Sequence, residues 1–164
     1  MVEKQISKQK EERNCAGFTK TVVHRVEFLY NISCGEAPYL VSRYDTVTGE
    51  VIPTNERIGL LDRKLRIVDE NTNSIEEWKQ YVIEAYKSIY GYEWQGDSLL
   101  LARENVLYDV IDWFEDRFHK EIHSTMMEEF ANIISHNIFQ MDGITMKIPY
   151  SDTPAKVMDW DLDE

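Results

Sequence analysis

The sequence predicts an α+β fold: an N-terminal antiparallel β-meander packed on three amphipathic helices. Three observations lead there. The first part is rich in β-branched and aromatic residues broken by turn chemistry, and the remainder repeats apolar residues at intervals of three and four. The charge divides at the same place. Up to Val68 the chain holds 11 basic and 9 acidic residues, and beyond it 7 basic and 21 acidic, so the net charge of −12 belongs to the helical part, which alone carries −14. With 164 residues and 43% hydrophobic content, the chain has the length and composition of one globular domain.

Residues 1–20 are expected to form a disordered polar arm, because the first fourteen are charged and aperiodic. Residues 21–160 are expected to form the single α+β domain, and residues 161–164 an acidic tail. Within the domain, Thr21 to Ile32 is a candidate strand whose even positions from Val26 are apolar. A turn at Cys34-Gly35-Glu36-Ala37-Pro38 precedes a second strand, Tyr39 to Tyr44. Asp45 to Glu50 reads as a tight turn built on Gly49, followed by a short Val51-Ile52 run that Pro53 stops. Arg63 to Val68 alternates in polarity and closes the meander as a last strand.

Ser74 and Glu77 have the spacing of a capping box that opens the first helix. Ile75, Trp78, Val82, Ala85 and Ile89 form its stripe, and Gly91 ends it. A second helix begins at Asp97 with Leu100, Leu107, Ile111, Phe114 and Phe118 facing inward. A third begins at Thr125, turns Met127, Phe130, Ile134, Ile138 and Met141 inward, and ends at Asp142-Gly143. Val157 to Trp160 are expected to make an ordered contact ahead of the tail.

Several function classes are disfavoured. The acidic balance argues against direct nucleic-acid binding and against docking on anionic lipid, since both need clustered Lys and Arg. No apolar run reaches membrane-spanning length, and the polar start lacks a signal-peptide core. Cys15 and Cys34 are too few for a disulfide framework, so a cytosolic chain with reduced thiols is expected. His119 and His123 are four apart, but a helix end falls between them, which opposes a shared metal. His24 and His136 read as surface residues. Neither a phosphate-binding loop nor a glycine-rich dinucleotide turn is present, and Ile148-Pro149-Tyr150-Ser151 lacks the features of an amino-methyltransferase loop. No catalytic residue, metal or cofactor is therefore expected. A binding role is.

Two features suit such a role. On a regular helix Asp109, Asp112 and Asp116 share one side, opposite the apolar stripe, and are expected to project into solvent as a carboxylate ridge extended by Glu104, Glu115, Glu128 and Glu129. Such a ridge is either a solvated face or an imitation of a row of nucleic-acid phosphates. Tyr90, Tyr92 and Trp94 flank Gly91 and Gly96 in an expected loop, which is either a protein-contact hot spot or a small local core.

Four stretches in order, Ser42 to Glu50, Glu56 to Arg66, Tyr90 to Asp97 with Leu99 to Arg103, and Phe139 to Gly143, resemble small proteins carried by phages and integrative elements of Firmicutes. Members of that group are labelled restriction endonuclease subunit M or DNA methylase. The resemblance spans about residues 38–160, and no methyltransferase motif accompanies it. It implies a mobile-element protein. Together with the ridge, the expected function is binding and inhibition or adaptation of a host DNA-processing nuclease of the restriction or CRISPR type, a counter-defence role in the host cytoplasm with a basic nucleic-acid-binding protein as partner. The alternative is an accessory subunit of a DNA methyltransferase, which would need Arg57, Arg63, Lys64 and Arg66 to form a DNA-facing patch.

Overall fold

A computed structural model describes residues 29–31 and 33–160. Their architecture is mixed α/β, with four helices around a small parallel sheet. The helices are α1 (Leu60–Asn71), α2 (Ile75–Lys87), α3 (Gly96–Phe118) and α4 (Ser124–Asn137). The strands are β1 (Leu29–Asn31), β2 (Ile89–Glu93) and β3 (Ile138–Gln140), in the order β1-β2-β3 and all parallel. Leu29 pairs with Ile89 at one edge, and Gly91 with Ile138 at the other. Parallel neighbours cannot be joined by a tight turn and need a crossover. Here each crossover is a helix pair, α1–α2 between β1 and β2, and α3–α4 between β2 and β3.

The antiparallel meander is thus absent from the described residues. Of the first expected strand only Leu29–Asn31 is described, as β1; the rest of Thr21 to Ile32, the arm of residues 1–20 and the tail of residues 161–164 lie outside the described residues. Tyr39 to Tyr44 is irregular chain whose Leu40 and Val41 amides both donate to the Ala37 carbonyl. The turn at residues 45–50 does form, with Gly49 at φ 74° and the Asp45 carboxylate accepting from the Val47 and Thr48 amides.

Arg63 to Val68 is helical, not extended. Asp62 turns back to accept from the Gly59 amide at 2.9 Å, which caps α1, and Leu61, Leu65 and Val68 then recur at helical spacing and are fully buried. The apparent alternation of Leu65 and Ile67 is the chance overlap of a helical stripe with a period of two. Gly59 itself is a close approach: a Cβ there would lie 2.4 Å from the Leu40 carbonyl oxygen.

The α2 cap is as expected, Ser74 Oγ accepting from the Glu77 amide at 3.1 Å. The helix ends at Lys87, however, and Ile89 to Glu93 turns into the buried central strand. Gly91 does not end a helix. It lets Ile138 of β3 and Cys34 approach to 3.0–3.2 Å of where a side chain would be. Likewise α4 stops at Asn137, and Ile138 and Phe139 belong to β3.

The core joins both helix pairs. Trp78 packs edge-on to Phe114 and Phe118, with ring centroids 5.6 and 5.7 Å away, and Tyr86 packs on Phe130 at 5.0 Å. Each such pair contributes about 0.5–1.5 kcal/mol beyond its buried area. Asn137 ties three segments together. Its Nδ2 donates to the Tyr86 and Ile89 carbonyls, and its Oδ1 accepts from Trp160 Nε1 at 2.8 Å. Tyr90 Oη also donates to the Met158 carbonyl, so the expected contact of Val157 to Trp160 is present.

Candidate functional site

Helix α3 decides where the carboxylates go. Its buried residues are Leu99, Ala102, Val106, Asp109, Val110, Trp113 and Phe114. That face lies roughly 100° around the helix from the expected stripe, at 100° per residue. Leu100 is 59% exposed, and Leu107 and Ile111 are half-buried. The rotation carries Asp109 inward.

Two members of the expected solvent-facing ridge, Asp109 and Asp112, consequently meet arginines instead of water. Asp109 is fully buried, and its Oδ1 accepts from Arg57 Nη1 at 2.7 Å. Asp112 accepts from Arg57 Nη2 at 2.6 Å and from Arg43 Nε at 2.9 Å. Asp116, still exposed, accepts from the Thr54 hydroxyl at 2.5 Å. Residues 41–57 therefore lie clamped along α3, with Arg43 and Arg57 buried and Arg57 Nε also holding the Ile52 carbonyl. Removing one partner of a buried, hydrogen-bonded pair of this kind costs about 3–5 kcal/mol. Burial, and then the nearby Asp62 charge, push the Asp109 acid well above the carboxylate range, with Arg57 opposing. A shallow cleft of about 550 Å³ lies beside the clamp, lined by Thr54, Arg57, Asp112, Glu115, Asp116 and His119 among others.

A different line of carboxylates faces outward. Asp97, Glu104 and Glu115 are exposed and fall within about 20° of one another around α3, over about 27 Å of its length. Leu101 and Tyr108, 42% and 50% exposed, lie between them. Glu121, in the α3–α4 connection, and Glu128, in the first turns of α4, are exposed as well. None of these five carboxylates is paired with a Lys or Arg among the described residues. Several basic groups of this half of the chain are engaged elsewhere: Lys79 with Glu129, Lys147 with Asp152, Arg103 with the Ile138 carbonyl, Arg117 with Asp69 and the Thr72 carbonyl, and Lys87 over the Trp160 ring. At the adjoining end of α1, burial and then the charges of Asp116 and Glu70 raise the Asp69 acid, against the pull of Arg117.

The DNA-facing patch required by the accessory-subunit alternative does not assemble. Arg57 and Lys64 are buried, at 1% and 2% exposure, and Arg66 Nη2 donates to the Asn55 and Arg57 carbonyls. Only Arg63 of the four is exposed, and its Nε donates to the Ile58 carbonyl. Sequence alone missed Arg43 as a partner of the acidic row; its position one residue before Tyr44, whose ring it covers at 5.0 Å, carries no periodic signal.

The aromatic cluster also divides. Tyr90 and Tyr92 are in β2, not a loop, and build a second small core with Met141, packed on by Phe139, Ala155 and Trp160. Trp94 remains outside and meets Tyr150 edge-on at 5.2 Å. His119 is the left-handed residue ending α3, whereas His123 caps α4, so the two imidazoles belong to different elements. Among the described residues no group of three His, Cys, Asp or Glu side chains is arranged to hold a metal ion. Burial, followed by the Glu93 charge, pushes the Cys34 thiol up to about 12, which makes it a poor nucleophile. No described helix is long and apolar enough to cross a membrane. No family model, curated protein or solved structure matches this chain.

Proposed function

We propose that this chain is a binding protein of mobile-element type that inhibits or adapts a host DNA-processing nuclease in the host cytoplasm, presenting carboxylates where the nuclease expects phosphates. The observation that carries the reading is the outer line of α3. Asp97, Glu104 and Glu115 form an exposed acidic line with no Lys or Arg paired to it among the described residues, and Glu121 and Glu128 add two more exposed carboxylates next in the chain. Such a surface attracts a basic groove over a Debye length of about 8–10 Å and raises the encounter rate. Leu101 and Tyr108 between the carboxylates add apolar contact that water-facing charge alone would not supply.

The inner row of Asp109 and Asp112 has no part in this contact, because Arg43 and Arg57 already occupy it. The sequence resemblance to phage and integrative-element proteins supports the same context. The test is a cleavage assay with purified restriction and Cas nucleases at low and moderate salt. Inhibition that weakens with salt and is relieved by Glu104→Lys with Glu115→Lys is expected. No inhibition and no complex with any such enzyme would overturn the reading.

A further inference from the structure

Among the described residues, no donor reaches one oxygen of Asp109. Its side chain is fully buried, Oδ1 accepts from Arg57, and Oδ2 meets no N–H or O–H group. Asp62 from α1 faces the Asp109 carboxyl, and both its charge and its side-chain hydrogen bonding favour the protonated form of Asp109. The two ends of Asp62 are unequally served. Its Oδ2 accepts from the Gly59 amide, the Ser42 amide and the Ser42 hydroxyl at 2.9–3.1 Å, whereas Oδ1 has only Trp113 Nε1 at 3.5 Å. Two ionised carboxylates facing each other away from water would repel, and an unmatched oxygen would keep its full desolvation cost. A single proton on Asp109 Oδ2 resolves both, because it gives the orphan oxygen a hydrogen and Asp62 Oδ1 a close donor.

We infer that Asp109 is held as the neutral acid, donating to Asp62, and that the clamp fastening residues 41–57 to α3 is a one-proton latch. The charges of the cluster agree. Asp62 and Asp112 then balance Arg43 and Arg57, whereas an ionised Asp109 would leave an uncompensated negative charge in the interior. The groups facing Asp109 are Asp62 from α1, Arg57 from the preceding segment, Tyr86 from α2 and Asp112 on its own helix. Tyr86 is itself committed, donating its hydroxyl hydrogen to the Val106 carbonyl at 2.9 Å. The inference concerns the fold and stands independently of the proposed nuclease contact.

The latch sets a sign. In the unfolded chain Asp109 ionises near 3.8, and in the folded chain far above that. Below the unfolded value the neutral acid exists in both states and the interaction is fully present. As pH rises from there, only the unfolded chain releases its proton, so stability falls until the folded acid also ionises. Asp109→Asn keeps the shape, accepts from Arg57 and donates to Asp62 at every pH. Its melting temperature is expected to match the wild type near pH 4 and to exceed it increasingly toward pH 8, whereas Asp109→Ala is lower throughout. A gap between wild type and Asp109→Asn that does not change with pH would overturn the latch. The wild-type protein gives a second measurement that needs no variant to fold. Its infrared spectrum in heavy water at neutral pD is expected to show the carbonyl stretch of a protonated carboxylic acid; a spectrum without that band overturns the inference as well.

Discussion

Helix α3 carries carboxylates on two sides, and they have opposite fates. On the inner side Asp109 and Asp112 are bound by Arg57 and Arg43 and hold the preceding segment down. On the outer side Asp97, Glu104 and Glu115 face water with no basic partner among the described residues. The residue types are alike and the helix is the same. What separates the sides is a pair of arginines placed far earlier in the chain. Charge density along a helix therefore does not identify its exposed face; the location of the counter-charges does.

The sharpest way to break this contrast is Arg57→Ala. It strands Asp109 and half-strands Asp112, and urea unfolding at neutral pH should show a loss of about 3–5 kcal/mol. A loss below about 1 kcal/mol would mean that the inner row behaves as an ordinary surface pair. Lys64 supplies the complementary case, a buried cation whose partner is the Ser88 hydroxyl rather than a carboxylate. Burial lowers its pKa from 10.5 to about 8. Below about 8 the folded state keeps a buried charge, and between about 8 and 10.5 the unfolded chain holds a proton that the folded chain has released, so stability rises with pH there. Lys64→Met should thus stabilise the protein by up to about 3 kcal/mol at neutral pH and remove that rising slope in a pH series of denaturant melts.

Smaller in effect, Gly59→Ala asks whether the clamp is placed by backbone contact as well as by charge. The added methyl meets the Leu40 carbonyl and the Asp62 carboxylate, and a loss of about 1–3 kcal/mol is expected in the same unfolding assay. Smallest for stability is the outer pair of changes, Glu104→Lys with Glu115→Lys. These should shift the unfolding free energy by no more than about 0.5 kcal/mol while abolishing nuclease inhibition. A large destabilisation would place those glutamates among the structural charges and erase the difference between the two sides.

The sequence made some elements legible and hid others for definite reasons. Ser74 and Glu77 announce α2 because a cap is a local arrangement of four residues. The tight turn at Gly49 is legible for the same reason. The parallel sheet is not, since its strands are three to five residues long and their pairing partners lie two helices away. Tyr90 and Tyr92 look like loop aromatics beside glycine, yet Gly91 is there for the close approach of β3. The inner face of α3 was hidden most deeply. Its stripe contains an aspartate, and no hydrophobic pattern assigns an aspartate to a core until the groups that bond it, Arg57 and Asp62, are known. The outer carboxylates Glu104 and Glu115 were legible as charge, whereas their separation from Asp109 was not.

Asn137 makes the far end of the domain part of its middle. One amide side chain bonds the last turn of α2, the first residue of the central strand and the indole of Trp160. Because one amide group makes all three bonds, turning it away breaks them together. In hydrogen exchange, the Trp160 indole is expected to be protected by its bond to the centre of the fold rather than by short-range structure of the closing segment.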